Sequence, residues 1–313
     1  MNQNWKSNYK KSIFEVELPV VEKNNDLKII RKIYSQYDEY FIASGCIEER
    51  KKQFNKLWQR FAPYADKHFL KEIKNNFHKR TWEMYLGNVL IEKNFEISSR
   101  NEGPDFIVND QIYLECIAPT KGDSNKPNSV PPISVQSIIV SKKQLDIAQD
   151  IPAEKMILRI TQAFKDKACD QYKSWKTKSW FNNKKPFVIA INTGDLEYPQ
   201  DYMGIPLVIK ALFGLEFLQI SQYGGKNFNW RNEIPKNNSS VPVNYFTSKK
   251  FKFVSGIIFS EKKVLDHPKI IGDDCVFVNN PFAKYSVDKN FVNNFKNWEI
   301  TQAESGLNLK KNY

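Results

Sequence analysis

Cysteine, histidine and acid are the scarce materials of this chain, and each scarcity closes a route. Four cysteines in 313 residues, Cys46, Cys116, Cys169 and Cys275, stand far apart and match no metal-binding or redox spacing. They read as free thiols in a reducing compartment. The three histidines, His68, His78 and His267, form no ligand cluster, which argues against a zinc site built from His and Cys. Nothing points to a Ser–His–Asp triad. No apolar run reaches the roughly 18 residues of a membrane span. The N-terminal stretch MNQNWKSNYKKS is polar and basic and has no apolar signal-peptide core, so the expected location is the cytoplasm. No internal repeat is visible.

Asp and Glu number 35 against 47 Lys and Arg, a formal net charge of +12. Such an excess favours polyanionic partners, nucleic acid first and an anionic membrane surface second. Much of it is Lys scattered among Asn, so a Lys-rich background accounts for the charge equally well. Hydrophobic residues make up 41%, aromatics 14% and charged residues 26%, the composition of a folded soluble protein.

Residues 1–26 read as a weakly structured arm. Apolar spacing in LKIIRKIYSQYDEYF and FNKLWQRFAPYADKHFLKEI predicts helices across 27–76, with Pro63 separating two of them. In FHKRTWEMYLGNVLIEKNF, residues 77–95, Trp82, Tyr85, Leu86, Val89 and Leu90 recur at helical spacing and define a buried stripe. FEIS (95–98) is a strand candidate. Residues 121–134 form a loop, 156–175 a helix, and KPFVIAIN (185–192) a buried strand opened by Pro186. A helix around 205–217 follows, with Pro206 in its first turn. Residues 220–250 read as a long loop or insertion, and VSGIIFS and CVFVNN as the last strands. In YGGKNFNWRN (223–232) basic residues alternate with aromatics that stack on bases in some proteins; Phe228 and Trp230 read more simply as loop anchors packed on the body. The GGK there lacks the spacing of a phosphate-binding loop. The tail, ESGLNLKKNY, reads as frayed. The organisation is an N-terminal arm and helical extension (1–76), one mixed α/β domain (77–300) and a C-terminal tail (301–313).

The informative stretch is GPDFIVNDQIYLECIAPTKG, residues 103–122. A turn at Asn109-Asp110-Gln111 sets Val108 opposite Ile112 and Asp105 opposite Glu115. Phe106, Val108, Ile112 and Leu114 then share one face, and Asp105, Ile107, Tyr113 and Glu115 the other. Two carboxylates directly across a strand pair repel. A hard divalent cation converts that repulsion into binding; a solvated sheet face would equally tolerate it. Glu83 shares a helix face with Gly87 and Leu90 beside the apolar stripe. It is either half-buried and in want of a cation or donor, or a surface residue interacting with Arg80 or Lys79. Gly87 would allow a close approach of the sheet. Lys167 lies near the core side of its helix, with Gln171 one turn further on; it either snorkels outward or serves a site.

Glu83 on a helix, then Asp105 in GPDF, then Glu115 in YLEC, in the order helix–strand–strand, resemble the PD-(D/E)XK nuclease superfamily. The resemblance implies a restriction-endonuclease-like α/β core, α-β-β-β-α-β over residues 77–192, with a mixed central sheet flanked by helices. It implies that Asp105 and Glu115 bind Mg²⁺ or Mn²⁺, with Glu83 as the helix acid. The family pattern wants a lysine at position 117, where this chain has Ile117. The lysine migrates in some members, which makes Lys167 the candidate, followed by Lys165, Arg159 and Lys121, with Gln171 helping to position the water. Otherwise the lysine is lost and the protein binds nucleic acid without cutting it. The resemblance thus implies a metal-dependent nuclease hydrolysing phosphodiester bonds, with DNA ahead of RNA as the substrate and a homodimer left open. Lys121, Lys126, Lys142 and Lys143 are candidate phosphate contacts. A reading from another class is a protein-interaction or effector domain that docks through its aromatic N-terminal helices.

Overall fold

The computed structural model describes residues 12–21, 24–100, 102–132, 151–198, 200–202, 204–220, 226–236, 239–247, 249–263, 265–303 and 306–312. The protein is mixed α/β, with a mixed central sheet flanked by helices. The chain divides into two compact units, residues 1–116 with 264–274 and residues 117–263 with 275–313. Among the described residues no helix is long and apolar enough to cross a membrane.

The first unit opens with helices α1 (Asn24–Ile33), α2 (Glu39–Cys46), α3 (Glu48–Phe61), α4 (Phe69–Glu72) and α5 (Phe77–Glu92). Pro63 sits in a short 3₁₀ turn, Ala62–Tyr64, and ends α3 as expected. Asp38 organises the entry to two helices. Its Oδ1 accepts from the Tyr40 and Phe41 N–H groups at the start of α2, and its Oδ2 accepts from the N–H of Phe77, the first residue of α5. Asn88 ties α5 to α3 by donating to the Leu57 carbonyl at 2.9 Å. Short strands β1 (Ile97–Ser98), β2 (Phe106–Val108) and β3 (Ile112–Ile117) follow. β1 and β3 both pair antiparallel with β2.

The expected stripe on α5 is in fact a helix buried on nearly every side, from Phe77 to Leu90. Phe54, Phe61 and Phe106 pack against it, and Phe61 meets Phe106 edge-on at 6.1 Å. Gly87 makes this approach possible. A Cβ there would lie 2.6 Å from Cδ2 of Phe61 and 3.2 Å from Cζ of Phe106. The N-terminal arm also departs from expectation. Ile13, Phe14 and Leu18 are core residues, and Leu18 fills the space that Gly45 leaves. The segment 12–21 has no regular secondary structure, so periodicity does not reveal its packing.

The second unit contains α6 (Ala153–Lys165), a π-helical turn (Asp166–Gln171), α7 (Tyr172–Trp175), β4 (Phe187–Asn192), β5 (Asp201–Tyr202), β6 (Ile205–Pro206) and α8 (Leu207–Phe213). Next come β7 (Leu215–Ile220), β8 (Lys226–Trp230), β9 (Glu233–Lys236), β10 (Ser239–Pro242), β11 (Gly256–Ser260), β12 (Val276–Asn279), α9 (Lys289–Val292), β13 (Lys296–Ala303) and β14 (Gly306–Asn312). Its sheet runs β4-β11-β12-β13-β14. The β4–β11 and β12–β13 pairs are parallel, and the β11–β12 and β13–β14 pairs antiparallel. β4 and β11 are buried on both faces, which explains their continuous apolar sequences.

Two stretches expected to be irregular are strands. The helix expected over 205–217 ends at Phe213, its last residues belong to β7, and β7 pairs with β8 and β9 with β10 as two-stranded ribbons that run into the expected loop at 220–250. The C-terminal residues form β14 rather than a frayed end. The signal was weak because β10 and β14 contain no fully buried residue, and the alternation of Leu307 and Leu309 in β14 is short and only half-buried. Trp230 is 43% exposed rather than a buried loop anchor. The side chain of Phe228, with Lys142 and Lys143, lies outside the described residues.

Gly87→Ala weighs two opposed effects. Alanine gains roughly 1 kcal/mol in helix propensity, while overpacking a close-packed site costs about 1–3 kcal/mol. The buried Phe61 and Phe106 rings should make the second prevail, lowering the urea midpoint with an unchanged slope. A raised midpoint would show that Phe61 yields freely.

Candidate functional site

The hairpin adopts the register expected from its pattern. Val108 pairs with Ile112, Ile107 with Tyr113 and Phe106 with Leu114. Asn109 and Asp110 turn the chain with φ of 51° and 49°, the left-handed region that Asn and Asp tolerate best after glycine. The Gln111 N–H closes the turn on the Val108 carbonyl at 2.9 Å. One step beyond the last ladder pair, Asp105 and Glu115 stand across from each other. The Asp105 N–H donates to Oε2 of Glu115 at 3.3 Å, and the Cys116 N–H donates to Oδ2 of Asp105 at 2.7 Å. Each carboxylate therefore holds the opposite strand by a charge-assisted bond, which offsets part of their mutual repulsion.

This is not a solvated sheet face. Glu115 is 2% exposed and Glu83 5%, while Asp105 is half-buried. Glu83 is a buried acid with a buried partner. Arg80, one turn earlier on α5, donates from Nη1 to Oε2 of Glu83 at 2.7 Å and to Oδ2 of Asp66 at 2.8 Å. Its Nε and Nη2 both engage Oε2 of Glu72. Lys79, the other cation considered for Glu83, points to solvent.

Burial pushes the Glu83 carboxyl up to about 8, and the nearby charge of Asp105 pushes the same way. The charge and hydrogen bond of Arg80 pull it back without undoing the rise, and Asp66 adds a further upward push. Burial works against the Arg80 guanidinium, but Glu83, Asp66 and Glu72 more than offset it, so its pKa is raised. One guanidinium thus serves several carboxylates, and Glu83 makes up the shortfall of positive charge by keeping a proton.

Hard cations such as Mg²⁺ take carboxylate oxygens and are commonly held by one or two carboxylates plus water. Asp105 and Glu115 supply that donor chemistry, each with one oxygen already fixed by a backbone N–H. Among the described residues no group of three or more His, Cys, Asp and Glu side chains is gathered to hold a metal ion. Glu83 is committed to Arg80, so the two hairpin acids are the fitting pair.

The structure brings Glu83 and Asp105 within electrostatic reach of each other and bonds Asp105 to Glu115. Lys167 and Gln171 lie on the π-helical turn of the second unit, both half-buried. Lys165 is exposed. Arg159 donates from Nε to the Thr120 carbonyl at 2.7 Å, and Lys121 pairs with Glu197 at 2.6 Å, so both have structural partners within that unit. Lys126 is exposed. Ile117 is buried at 4% exposure, an apolar position rather than a vacant lysine site.

Sequence reasoning missed the role of Arg80 as hub. The local signal was its i,i+3 spacing to Glu83, but Asp66 and Glu72 reach it through the fold. It also missed a second polar cluster on α5. The Tyr85 hydroxyl donates to Oδ1 of Asp274 at 2.5 Å and accepts from the Gly272 N–H at 2.9 Å. The Tyr85 ring stacks on His267 at 3.5 Å, and Nδ1 of His267 lies 3.2 Å from Oδ2 of Asp274. Nothing local marks partners this distant along the chain. No protein-family model, curated protein or solved structure matches this chain.

The raised carboxyl of Glu83 has a consequence for stability. The folded protein keeps the proton to about pH 8, whereas the unfolded chain loses it near the ordinary value of 4.5. Across that window the folded state binds more protons, so stability should fall as pH rises from about 5 to 8. Urea unfolding in metal-free buffer at several pH values should show this slope, and Glu83→Gln should remove it. An unchanged slope in the variant would assign the effect to another group.

Proposed function

We propose that the protein is a divalent-metal-dependent nuclease in which Asp105 and Glu115 hold Mg²⁺ or Mn²⁺. The supporting observation is the hairpin register: it sets two carboxylates side by side, one of them buried, and spends backbone N–H groups on fixing both. A bound ion would polarise the scissile phosphate and lower the pKa of its water. The chain's own part is to orient the two acids through the Asp105 and Cys116 N–H groups. Arg80 fixes the side chain of Glu83 beside them. The net charge of +12 supplies attraction for a polyanion, DNA ahead of RNA, with the salt dependence of phosphate contacts.

A second reading, nucleic-acid binding without cleavage, draws on a different observation. The position where the family pattern places a lysine holds the buried Ile117, and Glu83 is already paired with Arg80.

Incubation of plasmid, single-stranded DNA and RNA with Mg²⁺ or Mn²⁺ separates the two. The nuclease reading expects cleavage that Asp105→Ala reduces at least about a hundred-fold, since even groups that only orient a metal ligand cost 10- to 100-fold. Salt-sensitive binding with no cleavage would favour the second reading. Neither binding nor cleavage would overturn both.

A further inference from the structure

The second unit holds a cavity of about 400 Å³, a size suited to a small organic ligand. One wall comes from the π-helical turn and the start of α7, where Ala168, Cys169 and Tyr172 face the space. π-Helical turns inside α-helices occur frequently at functional sites. The aromatic lining continues through Tyr245, Phe251 and Phe253. Tyr172 stacks on Phe253 at 4.5 Å, and Tyr245 meets Phe251 at 4.5 Å with the rings tilted by 36°. Lys165, Lys173, Lys176 and Lys250 form an exposed rim. No carboxylate is among the described residues lining the cavity. Polar groups within it are few: the Asn244 amide, the Cys169 thiol and the Tyr245 phenol. Burial first, then Cys169 and Asp166, push that phenol up to about 12, so it stays a neutral hydroxyl.

Aromatic walls favour a flat ring, and clustered lysines favour a phosphate. The amide, thiol and phenol offer hydrogen bonds to the edge of a base, which an alkyl chain has no means to use. We propose that this pocket binds a nucleotide, its base against the aromatic wall and its phosphate among the rim lysines. The nucleotide is either a free mononucleotide or the terminal one of a strand. The site shares no residue with the hairpin and stands whether or not its acids cut.

Cys169 provides the readout in the full chain. It is the half-exposed thiol, while Cys46, Cys116 and Cys275 are buried. Alkylation of Cys169 by N-ethylmaleimide, followed by mass spectrometry, should slow in the presence of AMP or a 5′-phosphorylated hexanucleotide. Whichever protects at the lower concentration identifies the source. Adenosine alone and inorganic phosphate alone should protect far less. Lys173→Ala and Lys250→Ala, on exposed side chains, should each raise the protecting concentration up to about five-fold. Absence of nucleotide protection at millimolar concentration would overturn the proposal. So would equal protection in the double lysine variant, or decanoate protecting at lower concentration than AMP.

Discussion

Arg80 carries the charge balance of the first unit. Helix α5 is enclosed by aromatic rings and cannot shed a charge into water, so Glu83 needs a partner within the protein. A buried polar group left unsatisfied costs about 1–3 kcal/mol, and the Arg80 hydrogen bond satisfies Glu83 even where it keeps its proton. Arg80 meets that demand and also binds Asp66 and Glu72 from the preceding segment. The same guanidinium lies over the ring of Phe69 at 5.5 Å. A single side chain thus joins the turn before α4, α4 itself and α5.

That balance is incomplete. Asp105 adds negative charge beside Glu83, and Glu83 answers by holding its proton well above the usual carboxylate range. Across the hairpin, Glu115 is buried opposite Asp105 with backbone N–H groups as partial compensation. Hydrogen bonds to a carboxylate stabilise its charge but do not cancel it. A site with these properties gains more from a divalent cation than a neutral or solvated pair would. This is the physical basis for reading the acids as a metal-binding pair. The remaining buried polar cluster, Tyr85 with Asp274 and His267, fastens the 265–274 segment to α5.

Much of this was legible in the sequence where local rules apply. The Asn109-Asp110 turn and the alternation of Phe106, Val108, Ile112 and Leu114 fixed the hairpin register, and with it the opposition of Asp105 and Glu115. The order of elements from α5 to β4 followed from periodicity and turn residues. The rest depended on non-local packing. Ile13, Phe14 and Leu18 enter the core without forming a helix or strand. β10 is mainly polar, and the apolar alternation of Phe228 and Trp230 in β8 and of Leu307 and Leu309 in β14 is too short to mark a strand among Asn and Lys. For the site, helical spacing led to Glu83 but underestimated its burial. Arg80 looked like one of many surface cations because its acidic partners gather only in the fold. The pocket wall combines residues near 170 with residues near 245 and 250, and no contiguous motif announces it.

Direct titration with Mn²⁺, followed by the loss of its free-ion electron paramagnetic resonance signal, bears most closely on the central claim. The proposed metal site predicts a bound ion in the wild-type protein, with binding lost in Asp105→Ala and weakened in Glu115→Gln. No bound Mn²⁺, or binding unchanged by Asp105→Ala, would contradict the account and leave the two acids as a purely structural clasp between β2 and β3.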